Sequence, residues 1–211
     1  MKKIIIFDFD GTLADTLDIL VSITNRLSQE FGYPPAKPEE VVQLQRLSTR
    51  QIVEQSGISL IKLPFLIRRV RMELRREIQA VRLFPQIEEV LFDLKNQGHL
   101  LYILTSNTRE NVIQVLQRDR IFYLFTAIYS GSNLFGKSRV IRRLLKREKL
   151  QREQAVYIGD ETRDILAAQQ AQIKVIAVGW GFNSPDVLAR YHPDALANSP
   201  RDLVQIINQL H

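Results

Sequence analysis

Acidic side chains sit in this sequence where they are costly to keep. Near the start the chain reads Asp8-Phe9-Asp10-Gly11-Thr12, directly after the apolar run Ile4 to Phe7. Two carboxylates two residues apart, at the mouth of a strand buried on both faces, raise the free energy unless a cation compensates them. Gly11 lets the chain turn sharply after Asp10. A hard cation with oxygen ligands, Mg2+ above all, would use carboxylate and backbone carbonyl and leave room for substrate oxygens. A helix cap alone would need only one aspartate. A second cluster follows the run Leu100 to Leu104, which ends in Thr105-Ser106-Asn107. A hydroxyl there could donate to a phosphoryl oxygen, and Thr105 is assigned to that task. Asn107 with Glu110 three residues on matches a capping box, so Asn107 is expected to cap the next helix. Ser106 is open to either role and is counted as a substrate contact. The third cluster is Gly159-Asp160-Glu161-Thr162-Arg163-Asp164, after the run Ala155 to Ile158. Asp160 ends that strand and Asp164 lies one helical turn on, so both carboxylates can face one point. Whether Glu161 or Asp164 stands closer to a bound metal is open at this level.

These clusters need elements to hold them. Ile4 to Phe7 is a continuous apolar run of strand length, the kind found in a parallel sheet covered on both sides. From Thr16 to about Arg82 apolar residues recur at helical spacing (Leu17, Leu20, Val21, Leu27, Phe31; later Leu63, Ile67, Val70, Leu74, Ile78), with breaks near Gly32 to Pro35 and at Gly57. No strand pattern appears there, and four or so helices are expected. Beyond Phe84 strands and helices alternate. Pro85 should open a helix that Gly98 closes. The strands Leu100 to Leu104, Ala127 to Tyr129, Ala155 to Ile158 and Val175 to Val178 alternate with helices from Thr108, from about Ser138 and from Thr162. A last helix runs from Pro200 to Leu210, with Ser199 as its N-cap. This order predicts an α/β, Rossmann-like open parallel sheet with helices on both faces. The expected core is residues 1–15 joined to 83–211, with 16–82 inserted as a helical cap. In such sheets ligands bind outside the carboxyl ends of the strands, where all three clusters fall.

Composition narrows the chemistry. The 211 residues are 45% hydrophobic, which excludes disorder as the overall description. Cysteine is absent, which excludes disulfides, thiolate zinc and a cysteine nucleophile. His99, His192 and His211 show no metal-ligand spacing. No apolar run is long enough for a signal peptide or membrane span, so a cytoplasmic protein is expected. The net charge of +6 invites a nucleic-acid reading, but it is concentrated between Lys137 and Glu153, where eight Lys/Arg face two Glu. Val140, Ile141, Leu144 and Leu145 recur there at helical spacing, so a surface helix with a solvated basic face is expected. No aromatic residues interleave with these charges, as stacking on single strands would require. Nucleic acid is therefore not an expected partner. Gly131 to Ser138 also satisfies a P-loop pattern. Only about 70 residues follow Lys137, too few for the sheet built beyond such a loop, and that reading leaves Asp8 and Asp10 without a purpose.

The three clusters, with Lys137 between the second and third, resemble the haloacid dehalogenase-like hydrolase superfamily over essentially the whole chain. The specific signatures are Asp8-Phe9-Asp10-Gly11-Thr12-Leu13-Ala14-Asp15-Thr16 and Gly159-Asp160-Glu161-Thr162-Arg163-Asp164. The helical insertion, Gly179 to Phe182 and Pro193 to Leu196 resemble the phosphoglycolate phosphatase and β-phosphoglucomutase branch. Family dehalogenases lack the second aspartate, so Asp10 favours phosphoryl chemistry. The resemblance implies a Mg2+-dependent phosphatase acting on a small phosphorylated metabolite, as a monomer or homodimer. It further implies Asp8 as nucleophile, Asp10 as general acid and base, and a metal held by Asp8, the Asp10 carbonyl and Asp160, with Asp164 orienting metal waters. Thr105 and Lys137 would bind the transferring phosphoryl oxygens. Arg46, Ser48 and Arg50 fall where relatives contact substrate, and a cap arginine there could grip a substrate carboxylate. Relatives commonly carry glycine near Arg46, so this chain departs from the pattern at that point. The later arginines Arg68, Arg69, Arg71, Arg75 and Arg76 flank an apolar stripe and are expected to face solvent. A sugar-phosphate mutase on the same scaffold, and a regulatory protein using the basic helix on nucleic acid, are the alternatives.

Overall fold

The computed structural model describes residues 2–130 and 136–210. Most of the P-loop-like pattern therefore lies outside the described residues. Six strands form one parallel sheet: β1 (Ile4–Phe7), β4 (Leu100–Leu104), β5 (Phe125–Tyr129), β6 (Ala155–Gly159), β7 (Lys174–Val178) and β8 (Ala195–Ala197), in the order β5-β4-β1-β6-β7-β8. The chain starts in the middle, steps outward to β5, then returns beside β1 and steps the other way. That reversal opens a crevice at the carboxyl edge of β1. The register sets Phe7 opposite both Ile103 and Ile158, so the residues after β1, β4 and β6 emerge side by side.

Alternation along β1 explains the layers. Ile5 and Phe7 face one side, packed with Val90, Leu91 and Leu94 of α5 (Ile87–Asn96), Val112 and Leu116 of α6 (Arg109–Arg118) and Leu203 and Ile207 of α10 (Asp202–Gln209). Ile4 and Ile6 face the other, packed with Ile141, Leu144 and Leu145 of α7 (Lys137–Glu148), Ile165 and Ala168 of α8 (Thr162–Ala171) and Leu188 of α9 (Pro185–Ala189). Each fully buried Ile, Leu, Val or Phe among these contributes ~1.5 to 3 kcal/mol relative to exposure. The basic residues Arg139, Arg142, Arg143, Lys146 and Arg147 of α7 are exposed, as an amphipathic surface helix requires.

Four helices lie between the first strand and the rest of the sheet: α1 (Leu17–Phe31), α2 (Pro38–Leu44), α3 (Thr49–Gln55) and α4 (Leu63–Glu77). Ion pairs Arg26–Glu77 and Arg69–Glu30 tie α1 to α4. A short antiparallel pair, β2 (Ala14–Asp15) with β3 (Arg82–Leu83), closes the base of this segment. Two residues per strand carry too little pattern to be legible in the sequence.

Several boundaries differ from expectation for local reasons. α5 starts at Ile87 rather than Pro85, because Gln86 takes a left-handed conformation (φ 72) before the first turn. α6 is capped by Thr108, whose Oγ1 accepts the Asn111 N–H at 3.3 Å, and not by Asn107. α10 starts at Asp202, whose carboxylate accepts the N–H groups of Asn198 and Ser199 at 3.0 and 2.8 Å, so Ser199 is not its N-cap. Among the described residues no helix is long and apolar enough to cross a membrane.

Candidate active site

Asp8 follows β1 directly, and its N–H continues the ladder to the Ile158 carbonyl at 2.8 Å. Its side chain is thereby fixed at the carboxyl edge, with Oδ1 accepting the Phe9 N–H at 2.8 Å. Gly11 turns the chain with φ 76, and a Cβ there would meet Asp160 Oδ2 at 2.1 Å. Gly181, from the loop after β7, sits as tightly: its Cβ would lie 2.3 Å from both Asp160 Cβ and the Gly11 carbonyl oxygen. Asp160 is thus wedged between two backbones. Its Oδ1 accepts the Thr12 hydroxyl at 2.7 Å and its Oδ2 the Phe182 N–H at 2.8 Å. Trp180 Nε1 donates to the Thr12 carbonyl at 3.1 Å and binds the two loops together.

Asp164, in the first turn of α8, reaches back to the Glu161 N–H at 3.2 Å and accepts Lys137 Nζ at 2.6 Å. Lys137 is the first residue of α7, fully buried, and its ammonium also pairs with Asp8 Oδ2. Burial alone would pull this lysine down, but Asp164 and Asp8 outweigh it and hold the ammonium above its ordinary value. Burial pushes Asp8 up to about 7, with Lys137 pulling it back and Asp164 pushing it further. Asp160 rises well above the usual carboxylate range through burial and the charges of Glu161, Asp164 and Asp8. Asp10 rises to about 6, again through burial, offset by the amide of Asn107.

Carboxylate oxygens of Asp8, Asp160 and Asp164 lie within 4.8 Å of one another, and all three residues are buried. Three buried acids so close repel one another, and that repulsion is relieved by a divalent cation with oxygen preference. The immediate charges are five carboxylates (Asp8, Asp10, Asp160, Glu161, Asp164) against Lys137, Arg163 and Arg71, an excess of two negatives. The donor set and the charge both fit Mg2+. Glu161 is not in the cluster; its carboxylate accepts Thr49 Oγ1 at 2.9 Å and pairs with Arg163.

The remaining expected residues are placed as follows. Thr105 is buried after β4, and its Oγ1 accepts the Asn107 N–H at 2.9 Å. Ser106 beside it is half-buried. Asn107, assigned to capping by its spacing, instead donates Nδ2 to Asp10 Oδ1 at 3.1 Å. Thr108 is the better cap and leaves the Asn107 amide to the site. Arg46 is exposed, and Arg50 is exposed and spent on Glu54 at 2.8 Å, so neither is drawn in with the carboxylates. Arg71, expected to face solvent, is half-buried and close enough for Asp10 and Arg163 to act on its charge. Helical periodicity places Arg71 beside the apolar stripe of α4 but cannot show that the core comes up against that side. Arg163 was not singled out by the sequence; it lies within electrostatic reach of Asp8, Asp10 and Lys137. The inserted helices are pinned to the site by Asn183 Nδ2, which donates to the Leu47 carbonyl at 2.8 Å, and by Thr49 on Glu161.

Residues 5–178 match the model of a family described as haloacid dehalogenase-like hydrolase. A phosphoglycolate phosphatase of Synechococcus elongatus is 39% identical over 206 residues, covering 98% of this chain and 97% of that protein. Another, of Mannheimia succiniciproducens, is 31% identical over 220 residues, covering 97% and 98%. A solved structure from Clostridium acetobutylicum, described as a predicted phosphatase, superposes over all of both chains with a TM-score of 0.85 at 23% identity, which bears on the fold alone. A haloacid dehalogenase-like family protein of Streptococcus pneumoniae reaches a TM-score of 0.77 at 27% identity, over 97% of this chain and 98% of that one.

Proposed function

The chain belongs to the haloacid dehalogenase-like hydrolases and is a phosphatase of that family, and from this premise we propose that it hydrolyses a small phosphomonoester, phosphoglycolate foremost, with Mg2+ and through a phosphoryl group carried on Asp8. One constellation supports this: Asp8, Asp160 and Asp164 converge within 4.8 Å, and Lys137 is buried against Asp8 and Asp164. The phosphoglycolate phosphatases that resemble the chain over nearly its whole length support the choice of substrate.

Asp8 attacks phosphorus in line, so that an oxygen–phosphorus bond forms as the ester bond breaks. Asp10 gives its proton to the departing alkoxide. It then takes a proton from the water that attacks the same phosphorus, which releases inorganic phosphate and restores the Asp8 carboxylate. A carboxyl pushed up to about 6 suits both halves of that exchange. Lys137 has three N–H donors; two serve Asp8 and Asp164, and the third is available to a phosphoryl oxygen. Thr105 and Ser106 lie on the β4 side of the same crevice and contribute hydroxyls to the phosphoryl group. Asp8, Asp160, Asp164 and the Asp10 carbonyl would hold Mg2+, which when bound offsets charge between the nucleophile and the phosphoryl oxygens. Residues 16–82 serve as a cap over this crevice, excluding water and large esters.

Phosphate release is the test, using phosphoglycolate, a hexose phosphate, a nucleoside monophosphate and p-nitrophenyl phosphate, each with Mg2+ and with a chelator. Release should require Mg2+, vanish on chelation and return when Mg2+ is restored. Undiminished turnover in chelator would remove the metal from the account.

A further inference from the structure

The proposed reaction has Asp10 give one proton and take another, so the aim of its carboxyl group matters at both steps. A chain of side-chain amides reaches that group from the start of α6. Asn107 Nδ2 donates to Asp10 Oδ1 at 3.1 Å. Asn107 Oδ1 accepts the Thr108 N–H at 2.8 Å. A backbone N–H can only donate, so the amide oxygen is held on that side and the amine is turned to Asp10. One donor still leaves the amide free to swing about its broad terminal torsion. A second donor removes that freedom: Asn111 Nδ2, four residues on, reaches the same oxygen at 3.0 Å.

Asn111 lies on the buried face of α6 with Val112, Val115 and Leu116, and it is fully buried. A leucine there would pack with no polar demand. The amide instead leaves its Oδ1 buried with no hydrogen-bond partner among the described residues, which is costly. Its Nδ2 faces two acceptors, Asn107 Oδ1 and, at 3.4 Å, the Arg71 carbonyl of α4, so the nitrogen end of the amide is fixed by its neighbours. We propose that Asn111 is a positioning residue for the hydrolysis. Acting through Asn107, it keeps the Asp10 carboxyl group aimed first at the leaving oxygen and then at the attacking water. It touches neither the substrate nor the reacting atoms. The relay deepens the phosphatase reading and rests on it.

Steady-state kinetics with two kinds of ester separate positioning from packing. An alkyl ester, phosphoglycolate or ethyl phosphate, needs a proton on its leaving oxygen. p-Nitrophenyl phosphate does not, and its kcat/KM ends at phosphoryl transfer to Asp8. Asn111→Leu should lower kcat/KM for the alkyl ester by roughly 10- to 100-fold, as a misplaced catalytic group does. The same variant should change kcat/KM for p-nitrophenyl phosphate by less than about threefold. Asn107→Ala should also lower the alkyl-ester value. Adding Asn111→Leu to it should then cost less than about a further threefold, because Asn111 acts through the amide already removed. Asn111→Ala carries the test if Asn111→Leu does not fold by circular dichroism. Equal losses on both kinds of ester, an alkyl-ester value within about threefold of wild type, or losses that multiply in the double variant would overturn the relay while leaving the phosphatase intact. A wild type active on p-nitrophenyl phosphate alone would overturn the relay as well. Absence of phosphate release from every ester by the wild-type protein would overturn the phosphatase reading itself, and the relay with it.

Discussion

Lys137 and Asp8 define how this site balances charge. The lysine is fully buried, yet it remains cationic because two carboxylates surround it, while Asp8 is pushed up to about 7 because burial and Asp164 outweigh that one cation. A carboxylate held against this tendency is destabilising for the fold and useful to a nucleophile. Asp8→Asn mimics the neutral acid in shape and removes one of five crowded negative charges. It should therefore abolish phosphate release while leaving the melting temperature, measured in chelator at pH 8, equal to or above that of wild type. A lower melting temperature with activity retained would reverse both halves of that statement. Lys137→Ala would do the opposite to the fold, because removing the cation leaves Asp8 and Asp164 buried without it. Such a deletion typically costs ~3 to 5 kcal/mol.

At the level of elements, what was legible in the sequence was the strand ends. Ile4 to Phe7, Leu100 to Leu104 and Ala155 to Ile158 are uninterrupted apolar runs, and the first polar residue beyond each run, after Gly159 in the third, marks the carboxyl edge of the sheet. Asp8, Thr105 and Asp160 could be placed on that basis. Asn107 and Arg71 could not. The capping template fits Asn107 and Glu110, but Thr108 competes for the same helix end and wins, a choice made by tertiary geometry. Arg71 depends on how α4 lies over the sheet, which a helical period does not encode. Gly181 was part of a recognised segment, yet its role is steric: it lets the loop after β7 pass between Asp160 and the Gly11 carbonyl. Gly181→Ala should force those backbones apart and displace Asp160. We expect a fall of at least ~10-fold in turnover, as a misplaced catalytic geometry produces, together with a higher Mg2+ concentration for half-activation. Unchanged Mg2+ dependence would show that the loop can yield without moving Asp160.

The whole molecule joins a sheet that presents its chemistry along one edge to a helical insertion that reaches back over it. The two are joined by polar contacts such as Asn183 to Leu47 and Thr49 to Glu161, and by an apolar cluster in which Ile23, Leu27, Leu66 and Leu74 of the insertion are continuous with Ile5 and Phe7 of β1. The sheet is also tied at the start of β4. His99, just before β4, accepts the Lys3 N–H at 3.0 Å and is held below its ordinary value by burial. The fold therefore prefers the neutral imidazole. Its contribution is fully present above about pH 6.5 and is lost as pH falls and the unfolded chain takes up a proton that the folded one resists. The raised carboxylates of the site act with the opposite sign, so the comparison must be a difference. Wild type should lose stability relative to His99→Gln between pH 7 and pH 5 in urea melts, and a constant difference across that range would contradict it.

The central claim is that phosphate passes through a covalent bond to Asp8, and it can be tested by trapping that bond. The protein is mixed with Mg2+ and p-nitrophenyl phosphate labelled in the phosphoryl group, quenched in acid and assayed for label on the chain. This ester has a good leaving group that needs no proton, so Asp10→Asn should accept the phosphoryl group but release it slowly for want of a base, a step that general catalysis accelerates ~10²- to 10⁴-fold. We predict label approaching one equivalent on Asp10→Asn, sensitive to hydroxylamine as an acyl phosphate is, and none on Asp8→Asn. Label persisting on Asp8→Asn, or phosphate released by that variant at the wild-type rate, would contradict the account.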